Sequence, residues 1–219
     1  MRIVTQANAR AMWYVPTEDL NPNGLDLVPV YAAIQGRYRF RVFPTKPEDL
    51  QPVTGGVVFA KGSFRLSEDE LIEVVRFEIF SDGLMLDTRH STEASDVVLE
   101  DILAFSTKTH RLVYDPSMIR KKVYVSEVVA TTNLNLASLS PKFGQFANLL
   151  AEVCGEKLEF QPDMIRFGTD SGQRPVSLKF RFERRDGSRF VDNRYFSLAP
   201  TTTEKHQQLL DAMEVMLSE

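Results

Sequence analysis

Two apolar spacings alternate along the chain, one of period two and one close to 3.6. Over residues 36–43, Tyr38, Phe40 and Val42 fall on one side and Arg37, Arg39 and Arg41 on the other, which predicts a half-buried strand. Residues 57–60 and 63–66 read as one bent strand with Gly62 at its irregularity. Further strands are predicted over Val74–Phe80, Leu84–Thr88, Lys122–Thr131, Leu158–Phe167, Val176–Glu183 and Phe190–Leu198. Ser81-Asp82-Gly83 and Arg185-Asp186-Gly187 separate two pairs of these runs and read as hairpin turns in which glycine supplies a positive φ.

Helical spacing marks three further segments. Val98, Ile102 and Phe105 form one stripe of a helix over about 93–105, capped by Ser91 or Thr92. Ser140 and Pro141 open a second helix and Gly155 follows its end, with Phe143, Phe146, Leu150, Val153 and Cys154 on its buried stripe. Thr201 and Glu204 have capping-box spacing at the start of a third, which carries Leu209, Leu210, Met213 and Leu217. Strand runs interrupted by isolated helices, without strict alternation, predict an α+β fold with a mostly antiparallel sheet and three main helices.

Residues 1–30 are broken by Pro16, Pro22, Asn23-Gly24 and Pro29, and read as an N-terminal arm with a short strand at most. Pro44 to Gly56 reads as a loop. Two α+β halves follow the arm, over 31–110 and 111–219, and one undivided domain is the other reading. Strand, Asp-Gly turn, strand and capped helix occur twice, with Gly83 and Gly187 about 104 residues apart. A tandem duplication and a chance recurrence of a common hairpin both account for this pattern.

Composition narrows the class of function. The chain has 219 residues, 43% of them hydrophobic, and 26 Lys+Arg against 30 Asp+Glu give a net charge of −4. That balance argues against a wholesale nucleic-acid or membrane binder. One cysteine excludes an internal disulfide and a cysteine-cluster metal site. The start of the chain has no apolar leader, and apolar runs of five or six residues are too short to span a bilayer. A cytoplasmic protein with no membrane partner is therefore expected.

Motifs for chemistry are sparse. Neither a phosphate-binding Gly-Lys-Ser/Thr loop nor Gly-x-Gly-x-x-Gly occurs, and no Gly-x-Ser-x-Gly elbow is present. His90, His110 and His206 are far apart, without the paired spacing of a zinc site. Cys154 reads as a small buried apolar residue. Glu78, Asp82 and Asp87 are the candidates for a carboxylate- or metal-dependent hydrolase or nuclease, although Asp82 is explained as a turn residue and the other two as solvent-facing strand positions. No catalytic residue, metal or cofactor is assigned.

Charge is segregated. Residues 1–110 carry −5 and residues 111–219 carry +1, and seven basic residues against three acidic ones lie between Arg174 and Arg194. Lys179, Arg181, Arg184, Arg185 and Arg189, with Arg120, Lys121 and Lys122, are the candidate cations for single-stranded nucleic acid beside aromatic residues. The opposing reading puts Phe180 and Phe182 in the core, on the other side from Lys179 and Arg181. An acidic helix face at Glu93, Asp96, Glu100 and Asp101 complements the basic hairpin. With an aromatic patch at Trp13 and Tyr14, these features lead to a non-catalytic assembly module. It is expected to dock a protein partner and to form homo-oligomers, with nucleic acid as the alternative ligand.

Overall fold

The computed structural model describes residues 1–46, 49, 56–133, 135–154, 159–169 and 179–218. Among the described residues the fold is α+β, with eight strands and five α-helices. In chain order these are β1 (Arg2–Tyr14), α1 (Thr17–Leu20), α2 (Val28–Tyr38), β2 (Val57–Arg65), β3 (Leu71–Phe80), β4 (Gly83–Thr88), α3 (Thr92–His110), β5 (Lys121–Thr131), α4 (Pro141–Cys154), β6 (Met164–Gly168), β7 (Lys179–Arg184), β8 (Arg194–Ala199) and α5 (Thr203–Ser218). The strands form one antiparallel sheet in the order β2-β3-β4-β1-β5-β8-β7-β6.

The repeat legible in the sequence is part of a longer one. Strand, helix, three-strand meander and helix occur as β1-α2-β2-β3-β4-α3 and again as β5-α4-β6-β7-β8-α5. The sheet order β2-β3-β4-β1 is matched in reverse by β5-β8-β7-β6. The closing helices begin alike: Thr92 and Thr203, 111 residues apart, exchange backbone-to-hydroxyl bonds of 3.1 and 2.8 Å.

The chain divides into two compact units. The first comprises Asn8–Ser126 with Thr201–Thr203, and the second comprises Met1–Ala7, Glu127–Pro200 and Glu204–Glu219. In the first unit, α2 and α3 pack on the strands around Phe40, Phe59 and Phe77, whose rings lie 5.4 to 6.4 Å apart, as aromatic clusters do. In the second, Phe182 stacks on Tyr195 at 4.5 Å, with Val128, Ala130, Leu136 and Leu210 around them.

Residues 2–14 are not an arm but β1, paired with β4 from Ala9↔Thr88 to Tyr14↔Gly83. Its buried positions alternate as Ala9, Ala11 and Trp13, and alanine gives little strand signal. Small residues are required there because α3 crosses close by: Ser95 donates its hydroxyl to the Ala9 carbonyl at 3.3 Å. The prolines that suggested irregularity begin only at Pro16.

The strand expected over 36–43 is also absent. Val30, Tyr31, Ile34 and Tyr38 are buried at helical spacing in α2, which has Pro29 in its first turn, where the missing N–H costs nothing. The helix ends at Arg39, whose φ is +55°. Tyr38 and Phe40 are both buried as the alternation required, but Val42 is exposed.

The first hairpin forms with Phe80 opposite Gly83. Gly83 does not carry the expected positive φ, whereas Gly187 does, at +76°. Gly83 is needed for another reason: a Cβ there would lie 2.5 Å from the Trp13 carbonyl oxygen. In β2 the positive φ falls on Lys61, at +57°, and Gly62 makes room for Phe40, whose ring would be 2.5 Å from an added Cβ. Residues 47, 48 and 50–55 of the expected loop, Gly155, Leu158, Arg174 and Val176–Ser177–Leu178 lie outside the described residues.

Candidate docking face

α4 belongs to the second unit and forms where its signals lie. Pro141 is its first residue, and Ser140 Oγ accepts the Lys142 N–H at 3.3 Å. The expected burial of its stripe does not follow. Leu150 of the stripe is half-buried and Ala147 is buried, but Phe143 is 47% exposed, Phe146 60% and Val153 76%, and Leu149, outside the expected stripe, is 52% exposed. Cys154 is exposed too, contrary to its reading as a buried apolar residue. Four large apolar side chains in solvent on about three turns of one helix are more than scattered surface residues, and such faces mark interaction sites. The sequence predicted the stripe, but periodicity alone does not tell what covers it.

The first docking candidate, Trp13, is 1% exposed and forms part of the first unit's core. Its indole N–H donates to Asp96 at 2.7 Å, and Tyr124 donates its hydroxyl to the other Asp96 oxygen at 2.6 Å. Lys122 Nζ lies 3.5 Å from Asp96 and 3.7 Å from the Trp13 ring centre. Burial, and then the bond to Asp96, push the Tyr124 pKa up. Trp13 is thus committed inside the fold, whereas Tyr14 is exposed, with Lys121 5.9 Å from its ring.

The cations of the basic hairpin lie on β7 and the turn after it. Arg181 pairs with Glu183 at 3.4 Å and lies 5.1 Å from the Phe196 ring. Arg184 Nη1 donates to the Phe190 carbonyl at 3.1 Å, and its guanidinium lies over Phe190 and Tyr195. Arg189 pairs with Asp192 at 3.0 Å. Lys179 and Arg185 are exposed. Phe182 is buried and Phe180 packs edge-on to His206, so both rings point inward. Arg120, Lys121 and Lys122 belong to the first unit, where Arg120 pairs with Asp19 at 3.4 Å. Most of these cations therefore already face a carboxylate or ring of their own unit.

The carboxylate candidates behave differently from the expectation. Glu78 and Asp87 are 6% and 5% exposed rather than solvent-facing. Arg10 clasps Asp87 through two bonds of 2.7 Å, and Arg76 pairs with Glu78. The long arginine side chains lie over the carboxylates, a paired burial that satisfies the charge. Asp82 sits in the turn between β3 and β4 and does not join them. Among the described residues, no group of three or more His, Cys, Asp or Glu is placed to hold a metal ion.

The histidines are separate as well. His90 bonds Glu70 at 2.7 Å, and His110 packs edge-on to Phe105 at the end of α3. His206 is buried in α5, 2.8 Å from Ser197 Oγ, and burial lowers its pKa to about 4. An open cleft of about 600 Å³ in the second unit is lined by Asn135, Glu159, Gln161 and Phe190. Its polar side chains bond each other, Asn135 to Gln161 at 2.7 Å and Gln161 to Glu159 at 2.6 Å.

No protein-family model matches the sequence, and no curated protein matches it. No helix among the described residues is long and apolar enough to cross a membrane.

Proposed function

We propose that the protein is a non-catalytic assembly module that docks another protein chain through the apolar face of α4. The observation that carries this reading is the exposure of Phe143, Phe146, Leu149 and Val153 together on one helix. Leaving them in water is unfavourable, and covering them supplies the free energy of association. The aromatic patch at Trp13 drops out because Trp13 is buried. Segregated charge carries little of the argument, because the hairpin cations are largely paired within their own unit. That pairing also makes nucleic acid the weaker reading.

The test is capture of binding partners from native lysate on immobilised protein, with nuclease added, comparing the native sequence with Phe146→Glu. A defined protein band, this chain or another, retained by the former and lost by the latter is the expected result. Capture unaffected by Phe146→Glu, or nucleic acid alone lost on reversing Lys179 and Arg185, overturns the reading. The two ligands also separate by salt: phosphate-driven binding falls steeply with salt concentration, and apolar docking does not.

A further inference from the structure

Arg37 and Arg39 belong to the alternating run that imitates a strand, but the chain between them is the end of α2. That helix stops at Arg39, whose φ of +55° turns the backbone out of the helix. Both arginines thereby line one cleft of about 200 Å³ in the first unit, together with Ser63 and Arg65 of β2. Tyr38, Phe64 and Leu71 supply its apolar wall, with the Tyr38 and Phe64 rings stacked at 6.2 Å. No carboxylate is among the described residues that line it. We infer that this cleft binds a phosphate monoester, a site separate from the α4 face.

The donors are in part fixed in advance. Asp101 holds Arg37 through bonds of 2.9 Å to Nη2 and 3.2 Å to Nε, and Nη1 is left over. Arg65 Nη1 donates to the Glu68 carbonyl at 2.9 Å, and its Nε and Nη2 are left over. Among the described residues the Arg39 side chain has no hydrogen bond or ion pair. Paired guanidinium N–H groups match the oxygens of a phosphate, and anchored side chains lose little freedom when it binds.

Charge selects the ester. Three guanidiniums less the Asp101 carboxylate leave two positive charges, which match the dianion of a monoester at neutral pH. A phosphodiester strand carries one charge per phosphate and calls for cations spaced along a groove rather than gathered at one cleft. Of the neighbouring acids, Glu73 opposite Ser63 pairs with Arg89 at 3.6 Å, and Glu68 and Asp69 stand exposed outside the lining. The wall of Phe64 and Leu71 faces the organic group of the ester.

Isothermal titration calorimetry of the full chain with phenyl phosphate tests this. Saturable binding is expected, and dimethyl phosphate, with a single charge, should bind at least about tenfold more weakly. Arg39→Gly removes the free guanidinium without endangering the fold, because glycine suits a positive φ better than arginine does. It should weaken phenyl phosphate about fivefold, as should Arg65→Gln, whereas Arg185→Ala in the other unit should leave binding unchanged. Circular dichroism of each variant establishes that it is folded. A phosphoserine peptide distinguishes the two sources of the ester. Peptide binding tighter than that of phenyl phosphate supports a phosphorylated partner chain, and binding no tighter supports a free phosphate ester. Absence of saturable binding by either probe overturns the proposal. So does binding that survives Arg39→Gly and Arg65→Gln together, equal binding of dimethyl phosphate, or displacement of phenyl phosphate by a tighter-binding single-stranded oligonucleotide.

Discussion

At His206 the imidazole is buried in α5, and burial holds its pKa at about 4 against an ordinary 6.5. Between these values the unfolded chain takes up a proton that the folded protein refuses. Stability is therefore lost as pH falls from about 6.5 towards 4, by a total of roughly 3 kcal/mol. Urea unfolding across this range should show the decline, and His206→Gln should flatten it; an unchanged pH dependence in the variant would falsify the assignment. Asp96 presents the complementary case, a carboxylate that satisfies two donors. Asp96→Ala orphans the Trp13 indole and the Tyr124 hydroxyl and should cost about 2–3 kcal/mol in denaturant unfolding. A loss within 0.5 kcal/mol of zero, the range of ordinary surface changes, would mean that water replaces the carboxylate without cost. Both effects depend on what burial does to a polar group, which composition does not reveal.

At the scale of elements, legibility followed the size of the apolar side chains and their partners. The starts of α3 and α4 were visible because Ser91 and Ser140 cap them, although α3 runs on to His110, past the expected end near Phe105, and the first Asp-Gly hairpin was visible because glycine follows a turn between two apolar runs. β1 was hidden because Ala9 and Ala11 bury little area, and α2 because Arg-Tyr-Arg-Phe alternation across its end imitates a strand. The α4 stripe was legible as a stripe but its exposure was not, because identical spacing serves a core and an interface. Stability separates those two uses. Phe77 lies in the first unit's core, so Phe77→Ala should cost about 3–5 kcal/mol. Phe146→Glu changes an exposed side chain and should stay within about 0.5 kcal/mol under conditions where the chain is monomeric. Thermal unfolding of the two variants checks this contrast, and a large loss at Phe146 would place its ring in the fold rather than at a contact.

For the whole molecule, the repeated topology does not imply equal cores. The first unit packs aromatic and aliphatic side chains from α2, α3 and β1–β4 into one extended cluster. The second gathers a smaller set around Phe182 and Tyr195, while α4 and β6 leave Phe143, Phe146, Met164 and Phe167 in solvent. Local opening is easier where fewer apolar groups are buried, so the two copies of one topology should differ in stability. Hydrogen–deuterium exchange at the level of peptides reads this directly. Amides of β3 and β4 should exchange most slowly, and those of β6, β7 and α4 faster. Equal protection of β4 and β7 would show that the size of the buried cluster does not set local stability here, and that the smaller core is held by the backbone pairing of its own strands rather than by the side chains it buries.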